Sequence, residues 1–99
     1  MIAIICPFKD NWIVTKSFLD TVKSQVCDDK IKIYLINNGS MELLNDKIEE
    51  YIKGYGLDIV HIRNTENLGF PKAVNQGLVK ASKDFCNYYI ISNNDIELQ

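Results

Sequence analysis

The sequence has little of several features that would point directly to a function. It contains 99 residues, with only one histidine, two prolines and three cysteines. Domains average roughly 150 residues, so a chain of this length builds one hydrophobic core. The chain has 11 Lys+Arg against 13 Asp+Glu and a formal net charge of -2. It therefore lacks the excess of basic residues that binds a phosphate backbone. We therefore expect a single domain and no nucleic-acid partner.

Cysteine use and the N-terminal segment indicate the cellular compartment. Cys6, Cys27 and Cys86 are odd in number and widely spaced, which favours free thiols over a disulfide framework. The opening residues MIAIICPFKD lack the basic start and long apolar stretch of a signal peptide. No run approaches the roughly 18 apolar residues of a membrane span. The expectation is a reduced, cytoplasmic protein.

Several common ligand-binding motifs are missing. There is no G-x-x-x-x-G-K-[ST] phosphate loop and no G-x-G-x-x-G after the first strand. A zinc site needs several Cys or His ligands at short spacings, which this chain does not offer. The single histidine, His61, lies inside an apolar segment, where a structural role is favoured over a catalytic one. A phospho-receiver domain is disfavoured because His61-Ile62-Arg63-Asn64 stands where its third strand needs an aspartate.

The apolar pattern predicts alternating strands and helices. With 46% apolar and 24% charged residues, the composition is that of a folded domain. Four strands and three amphipathic helices predict an α/β, Rossmann-like fold of three layers, with a mostly parallel sheet and helices on both faces. Gly77 inside the third helix predicts a close approach of its backbone to the sheet or to a ligand. The strands are Ile2–Cys6, Ile31–Ile36, Leu57–Ile62 and Tyr88–Ile91, and the helices are Trp12–Val26, Ser40 to about Gly54, and one that starts near Pro71.

Polar segments follow each predicted strand, at the edge where open α/β sheets bind ligands. Amides suit hydrogen bonding to sugars and bases, although any single asparagine there can instead satisfy the backbone of a turn. The carboxylate of Asp95 suits Mg2+ or Mn2+ on a diphosphate, and a capped loop carboxylate is the alternative. The amide and carboxylate side chains of these segments are Asn37, Asn38, Asn64, Asn67, Asn93, Asn94, Asp10 and Asp95.

Four segments in this order resemble one protein family. The sequence resembles the N-terminal, nucleotide-sugar-binding part of the inverting family-2 glycosyltransferases of the A-type fold, including members similar to rhamnosyl- and galactofuranosyltransferases. The second segment stands where that family often has Asp-Asn-Gly-Ser, and the fourth where it has an Asp-x-Asp-like metal motif. The segments are IICPF (4–8), INNGS (36–40), NLGFPKAVNQG (67–77) and ISNND (91–95).

The resemblance implies a nucleotide site at the ends of the first two strands. Pro7 and Phe8 would belong to the nucleotide loop, with the ring of Phe8 against the base. A buried core position is the alternative for Phe8. Asn37 occupies the place where the family usually has an aspartate that binds the base, so this departure bears on which base is bound.

The resemblance also implies a diphosphate and metal site. Asn67 and Gly69 would shape the loop before the third helix, and Lys72 would pair with a phosphate, with a solvated surface charge as its alternative. Asn94 would reach the ribose or diphosphate. Asp95 would ligate the Mg2+ or Mn2+ ion that neutralises the leaving nucleoside diphosphate.

No catalytic residue is assigned, because the family's general base lies well downstream of the metal motif and the sequence has four residues after Asp95. We therefore expect residues 1–99 to be the donor-binding portion of a longer transferase that uses a glycan or lipid-linked acceptor in cell-surface polysaccharide synthesis, at the inner face of the membrane. Alone, this portion would be inactive and would self-associate through an exposed sheet edge. The alternative is a non-catalytic nucleotide-binding or structural module.

Overall fold

Four strands and three helices alternate along the part of the chain that the structure describes, as the sequence predicts. The computed structural model describes residues 1–9, 12–24, 30–39, 42–56 and 58–92. None of the helices in these residues is long and apolar enough to cross a membrane. The elements are β1 (Ile2–Phe8), α1 (Trp12–Ser24), β2 (Ile31–Asn38), α2 (Glu42–Lys53), β3 (Asp58–Asn64), α3 (Phe70–Lys83) and β4 (Tyr88–Ile91).

The strands form one parallel sheet in the order β3-β2-β1-β4. The register aligns Phe8 of β1 with Asn37 of β2, and Asn37 with Arg63 of β3. Since all the strands run the same way, their carboxyl ends lie at one edge of the sheet. This carboxyl edge is where the predicted polar segments begin.

The helices cover both faces of the sheet, so the α/β prediction is confirmed. Across the sheet, β2 lies beside β1 and β3 lies beyond β2 on the same side. Because both crossover connections are right-handed, α1 and α2 lie on the same face of the sheet. The step from β3 to β4 runs back across the sheet and puts α3 on the other face. One core contains Ile4, Cys6, Phe8, Leu19, Val22, Ile33, Leu35, Ile48 and Tyr55, and the other contains Ala3, Ile5, Tyr34, Ile36, Ala73, Val74, Ala81 and Cys86.

Three strands extend two residues beyond their predicted ends. β1 includes Pro7 and Phe8, whereas the prediction stopped it at Cys6 because proline has no N–H for a ladder. Residues two apart in a strand direct their backbone groups to the same side, so Pro7 faces the β4 side as Ile5 does. Within the described residues β4 pairs no further than Ile91 opposite Ile5, so Pro7 has no strand partner among them to lose. Likewise β2 continues through Asn38 and β3 through Asn64.

Gly77 confirms the predicted close approach, and the partner is the sheet. A Cβ atom at Gly77 would lie 2.6 Å from Cγ2 of Ile5 and 3.2 Å from Cδ1 of Ile36. Only a residue without a side chain therefore lets α3 settle this closely on β1 and β2.

Candidate functional site

The carboxyl edge carries a group of hydrogen-bonded amides, which we call the amide cluster: Asn38, Asn64, Asn67 and Gln76. Asn38 Nδ2 donates to Asn67 Oδ1 at 2.8 Å, and Asn64 Nδ2 donates to Asn38 Oδ1 at 3.2 Å. Asn64 and Gln76 exchange two hydrogen bonds, of 2.8 and 2.9 Å. The cluster therefore joins the ends of β2 and β3 to the loop 65–69 and to α3.

The cluster also holds the backbone of the loop 65–69. The Leu68 N–H donates to Asn38 Oδ1 at 2.9 Å, and the Gly69 N–H donates to Asn67 Oδ1 at 2.8 Å. A Cβ atom at Gly39 would lie 2.6 Å from the backbone nitrogen of Asn67, and Gly39 has a φ of +90°. Glycine is therefore required at residue 39 both by its backbone conformation and by the loop beside it. The segment after β2 and the segment after β3 touch through their backbones.

Asn37 lies on the opposite side of the sheet from the amide cluster. Successive residues of a strand point to opposite faces, so Asn37 points toward α2 while Asn38 points toward α3. The Asn37 side chain is 1% exposed, and its Nδ2 donates to Oδ1 of Asn45 at 2.6 Å. A buried amide needs such a partner. Contact of Asn37 with a base stays a prediction.

Pro7 and Phe8 are buried at the end of β1. The Phe8 ring is 1% exposed and packs against Trp12, with 6.2 Å between ring centroids. Phe8 therefore occupies a buried core position, the alternative interpretation of this aromatic residue. A contact of either residue with a nucleotide stays a prediction.

Asn67, Gly69 and Lys72 lie where β3 gives way to α3. Gly69 is the N-cap of α3 with a φ of 87°, and no side chain makes a cap hydrogen bond there. Pro71 occupies the first turn, as predicted, where a missing N–H costs nothing. The exposed Lys72 follows in the same turn. The structure thus brings Asn67 and Gly69 into the amide-held loop and leaves the Lys72 side chain in solvent.

The remaining predicted ligands, Asn94 and Asp95, lie outside the described residues, as do Asp10 and Asn93. Among the residues that are described, no group of three or more His, Cys, Asp or Glu side chains could hold a metal ion. The structure therefore does not test the metal prediction for Asp95. Ser92, the last described residue, lies at the carboxyl edge and donates its N–H to the Ile5 carbonyl at 2.8 Å.

His61 has the structural setting that the sequence favoured. Its side chain is 4% exposed, and Nδ1 lies 2.8 Å from Oε1 of Glu49 on α2. Its Nε2 is buried with no hydrogen-bond partner within the described ranges. The histidine joins β3 to α2 rather than facing the amide cluster.

Shifted pKa values belong to buried tyrosines that link elements away from the carboxyl edge. Burial raises the pKa of Tyr55 to about 12. Burial and a hydrogen bond to Asp84 raise the pKa of Tyr34 well above its usual range. The same hydrogen bond, 2.7 Å long and donated by the tyrosine, lowers the pKa of the Asp84 carboxyl. Because Asp84 follows α3 at the amino edge of the sheet, these shifts mark packing contacts.

Sequence reasoning missed two amide partners, Asn45 and Gln76. Asn45 is 6% exposed in α2 and pairs with Asn37. Gln76 stands between the buried Val74 and Gly77 and pairs with Asn64. For Asn45, a polar residue on the inner face of an amphipathic helix was the available signal, because a buried amide must find a hydrogen-bond partner. Gln76 is only half-buried and gives no such signal.

Comparison with known proteins identifies the fold and the family. Residues 3–99 match the model of the family described as Glycosyl transferase family 2. No curated protein gives a significant sequence match. The crystal structure of S. aureus TarS superposes with a TM-score of 0.75 over 95% of this chain, at 17% sequence identity. The chain spans 16% of the length of that protein, so the likeness concerns the fold of one part of it.

Proposed function

The chain belongs to glycosyl transferase family 2, and from that premise we propose that residues 1–99 bind the nucleotide-diphospho-sugar donor of a glycosyltransferase. The observation that carries the proposal is the amide cluster at the carboxyl edge. The hydrogen bonds within the cluster hold the loop 65–69 in place and leave the side chain of Asn67 exposed, where an amide suits a sugar hydroxyl or a base edge. Open α/β sheets bind ligands at this edge.

In this proposal the predicted donor-site residues fall into two groups. Pro7, Phe8 and Asn37 are buried at the ends of β1 and β2, and would support the base from beneath. Asn67 and Gly69 would line the side of the site, and Lys72 in the first turn of α3 would pair with a phosphate. A lysine on a flexible stem can reach an anion without a fixed geometry.

Asn94 and Asp95 complete the proposed site at the diphosphate. The Asp95 carboxylate would ligate Mg2+ or Mn2+, and the metal supplies positive charge that stabilises the leaving nucleoside diphosphate. The segment that carries both residues begins at Ser92, which is hydrogen-bonded to Ile5 of β1. That attachment supports a place for the metal beside the end of β1.

Transfer of the sugar to a glycan or lipid-linked acceptor would need a general base outside residues 1–99. The general base, the acceptor and the donor must be held in line for an inverting transfer. We propose that the 99-residue chain binds the donor without turning it over, and that the complete transferase acts on the cytoplasmic side of a membrane. We also propose that the chain self-associates through the exposed β4.

Calorimetric titration tests donor binding. The chain is titrated with the diphosphates of uridine, guanosine and thymidine, each with and without Mn2+. We expect metal-dependent binding of at least one nucleotide, and its loss in Asp95→Ala. Asp58→Ala is the matched control, since Asp58 is exposed at the start of β3, on the amino edge.

The outcomes separate the possible functions. Metal-dependent binding that survives in Asp58→Ala and fails in Asp95→Ala supports the donor site. Binding without any metal effect would instead favour a non-catalytic nucleotide-binding module. The absence of binding to all three nucleotides contradicts the proposal for this chain.

A further inference from the structure

The Asn64–Gln76 pair closes a loop of the chain. Asn64 is the last residue of β3, and Gln76 lies in the second turn of α3. Each side chain donates one hydrogen bond to the other, at 2.8 and 2.9 Å. The pair therefore clamps the base of the segment that contains the loop 65–69.

Asn38 links the Asn64–Gln76 pair to the loop 65–69 by hydrogen bonds. Its Oδ1 accepts from Asn64 Nδ2 at 3.2 Å and from the Leu68 N–H at 2.9 Å. Its Nδ2 donates to Asn67 Oδ1 at 2.8 Å and lies 3.5 Å from the Gly69 carbonyl oxygen. Both amide hydrogens and both lone pairs of Asn38 are thus engaged, so its orientation is fixed by its neighbours.

Beyond the amide cluster, the loop lies against the Gly39 backbone. Gly69 caps α3 without a side-chain hydrogen bond, and a glycine adds no side-chain packing. Asn67 is exposed, and its Oδ1 accepts from Asn38 Nδ2 and from the Gly69 N–H of the same loop, so Asn38 is its side-chain link to the sheet. If Gln76 loses its amide, Asn64 loses an acceptor and a donor together, and the Asn64 side chain that donates to Asn38 is no longer held on its α3 side.

From these contacts we infer that Gln76 is a positioning residue: through Asn64 and Asn38 it holds the loop 65–69 in the conformation that binds the nucleotide. The inference rests on the proposed donor site and adds to it a residue that contacts no ligand. When only a fraction of the protein has the binding-competent loop, the apparent dissociation constant rises by the inverse of that fraction. Loosening the loop therefore weakens binding without removing a single ligand contact.

The experiment compares Gln76→Met with two other variants. Methionine keeps the length of the side chain and removes both hydrogen bonds. Asn75→Met is the matched control, because Asn75 is an exposed amide on the same helix. The exchanged pair Asn64→Gln with Gln76→Asn tests rescue, since it keeps the combined length of the two amides.

Two readouts are recorded under conditions where every variant is folded. Amide hydrogen exchange of residues 65–69 is measured in the free chain, and nucleoside diphosphate affinity is measured with Mn2+. For Gln76→Met we expect about tenfold faster exchange in the loop and about tenfold weaker binding, which corresponds to a competent fraction of about one-tenth. The control should match the unmodified chain, and the exchanged pair should recover most of both effects.

Each possible result either supports or overturns the positioning role of Gln76. Unchanged loop exchange in Gln76→Met overturns it, and so does faster exchange with unchanged affinity. Equal effects in Asn75→Met would also overturn it, because the effect would then belong to the helix in general. If the unmodified chain binds no nucleotide, the proposed donor site fails and the positioning role fails with it. The exchange data would then still show whether the pair orders the loop.

Discussion

Asn37 and Asn38 are adjacent in the chain and serve opposite faces of the sheet. Asn37 is fixed by Asn45 beneath the α1–α2 layer, while Asn38 is the centre of the amide cluster on the α3 side. Both are almost fully buried, at 1% and 6% exposure. Because successive side chains of a strand point to opposite faces, two adjacent asparagines have different roles, one in the core and one at the candidate site.

Gly77 carries the clearest stability prediction at the scale of one residue. In Gly77→Ala the new Cβ would lie 2.6 Å from Cγ2 of Ile5, a fully buried β-branched side chain that has little room to move. Overpacking of this kind costs about 1–3 kcal/mol, against a gain in helix propensity of about 1 kcal/mol. We expect a net loss of up to about 2 kcal/mol in the free energy of unfolding, measured by urea denaturation.

Gly54→Ala is the control for this prediction. A Cβ atom at Gly54 would have no heavy atom within 4 Å, so the substitution adds no contact. The unfolding free energy should stay the same or rise by a few tenths of a kcal/mol. A Gly77→Ala variant as stable as Gly54→Ala would show that α3 does not sit on Ile5 as described.

At the scale of elements, two tyrosines of the α2 region tie it to α1. The Tyr51 hydroxyl donates to Asp20, and the Tyr55 hydroxyl donates to the backbone carbonyl of Leu19. Lys16 and Lys23 of α1 lie over these rings, 5.8 and 5.6 Å from the centroids. The contact between α1 and the α2 region therefore depends on tyrosine hydroxyl groups that remain protonated.

This dependence predicts a loss of stability in alkali. The folded chain holds the pKa of Tyr55 at about 12, above the ordinary value of 10.0, because burial disfavours the phenolate. Between pH 10 and 12 the unfolded chain releases this proton while the folded chain retains it, so the free energy of unfolding falls as pH rises. The contribution is fully present below pH 10. The urea midpoint, followed from pH 9 to 12, should fall throughout the upper part of that range.

Two variants assign the alkaline effect. Tyr55→Phe should make the fall of the urea midpoint shallower, because one titrating group has been removed. Tyr88→Phe, at a side chain that is 65% exposed on β4, should keep the slope of the unmodified chain. Equal slopes in all three proteins would contradict the role given to Tyr55.

The elements also show what the sequence could and could not predict. Apolar periodicity predicts the four strands and three helices found in the described residues, because each element must bury one face. The ends of β1, β2 and β3 were predicted two residues short, since proline and asparagine favour turns locally while the neighbouring strands extend the ladder. The sequence also predicts that the amides lie at one sheet edge, because parallel strands have their carboxyl ends on the same side. The partners Asn45 and Gln76 could not be paired in advance, because hydrogen bonds between elements depend on the packed structure.

At the scale of the whole molecule, β4 is the least covered part of the sheet. Its side chains are 65%, 43%, 51% and 48% exposed in order from Tyr88 to Ile91. In the described part of the chain β4 pairs only with β1, and α3 packs on β1 and β2. Four consecutive apolar side chains on a strand that is paired on one side only, as far as the described residues go, favour pairing with another chain.

The proposed self-association is therefore expected to pass through β4 and to respond to charge placed there. Sedimentation velocity over a wide concentration range should show the unmodified chain moving toward larger species, and Ile90→Lys should shift it toward monomer, because an edge lysine opposes strand pairing. Val79→Lys is the matched control, since Val79 is 47% exposed on α3 and both variants change the net charge by the same amount. If Val79→Lys dissociates the assembly equally, repulsion between whole molecules explains the effect. A monomer at every concentration of the unmodified chain would contradict association through this edge.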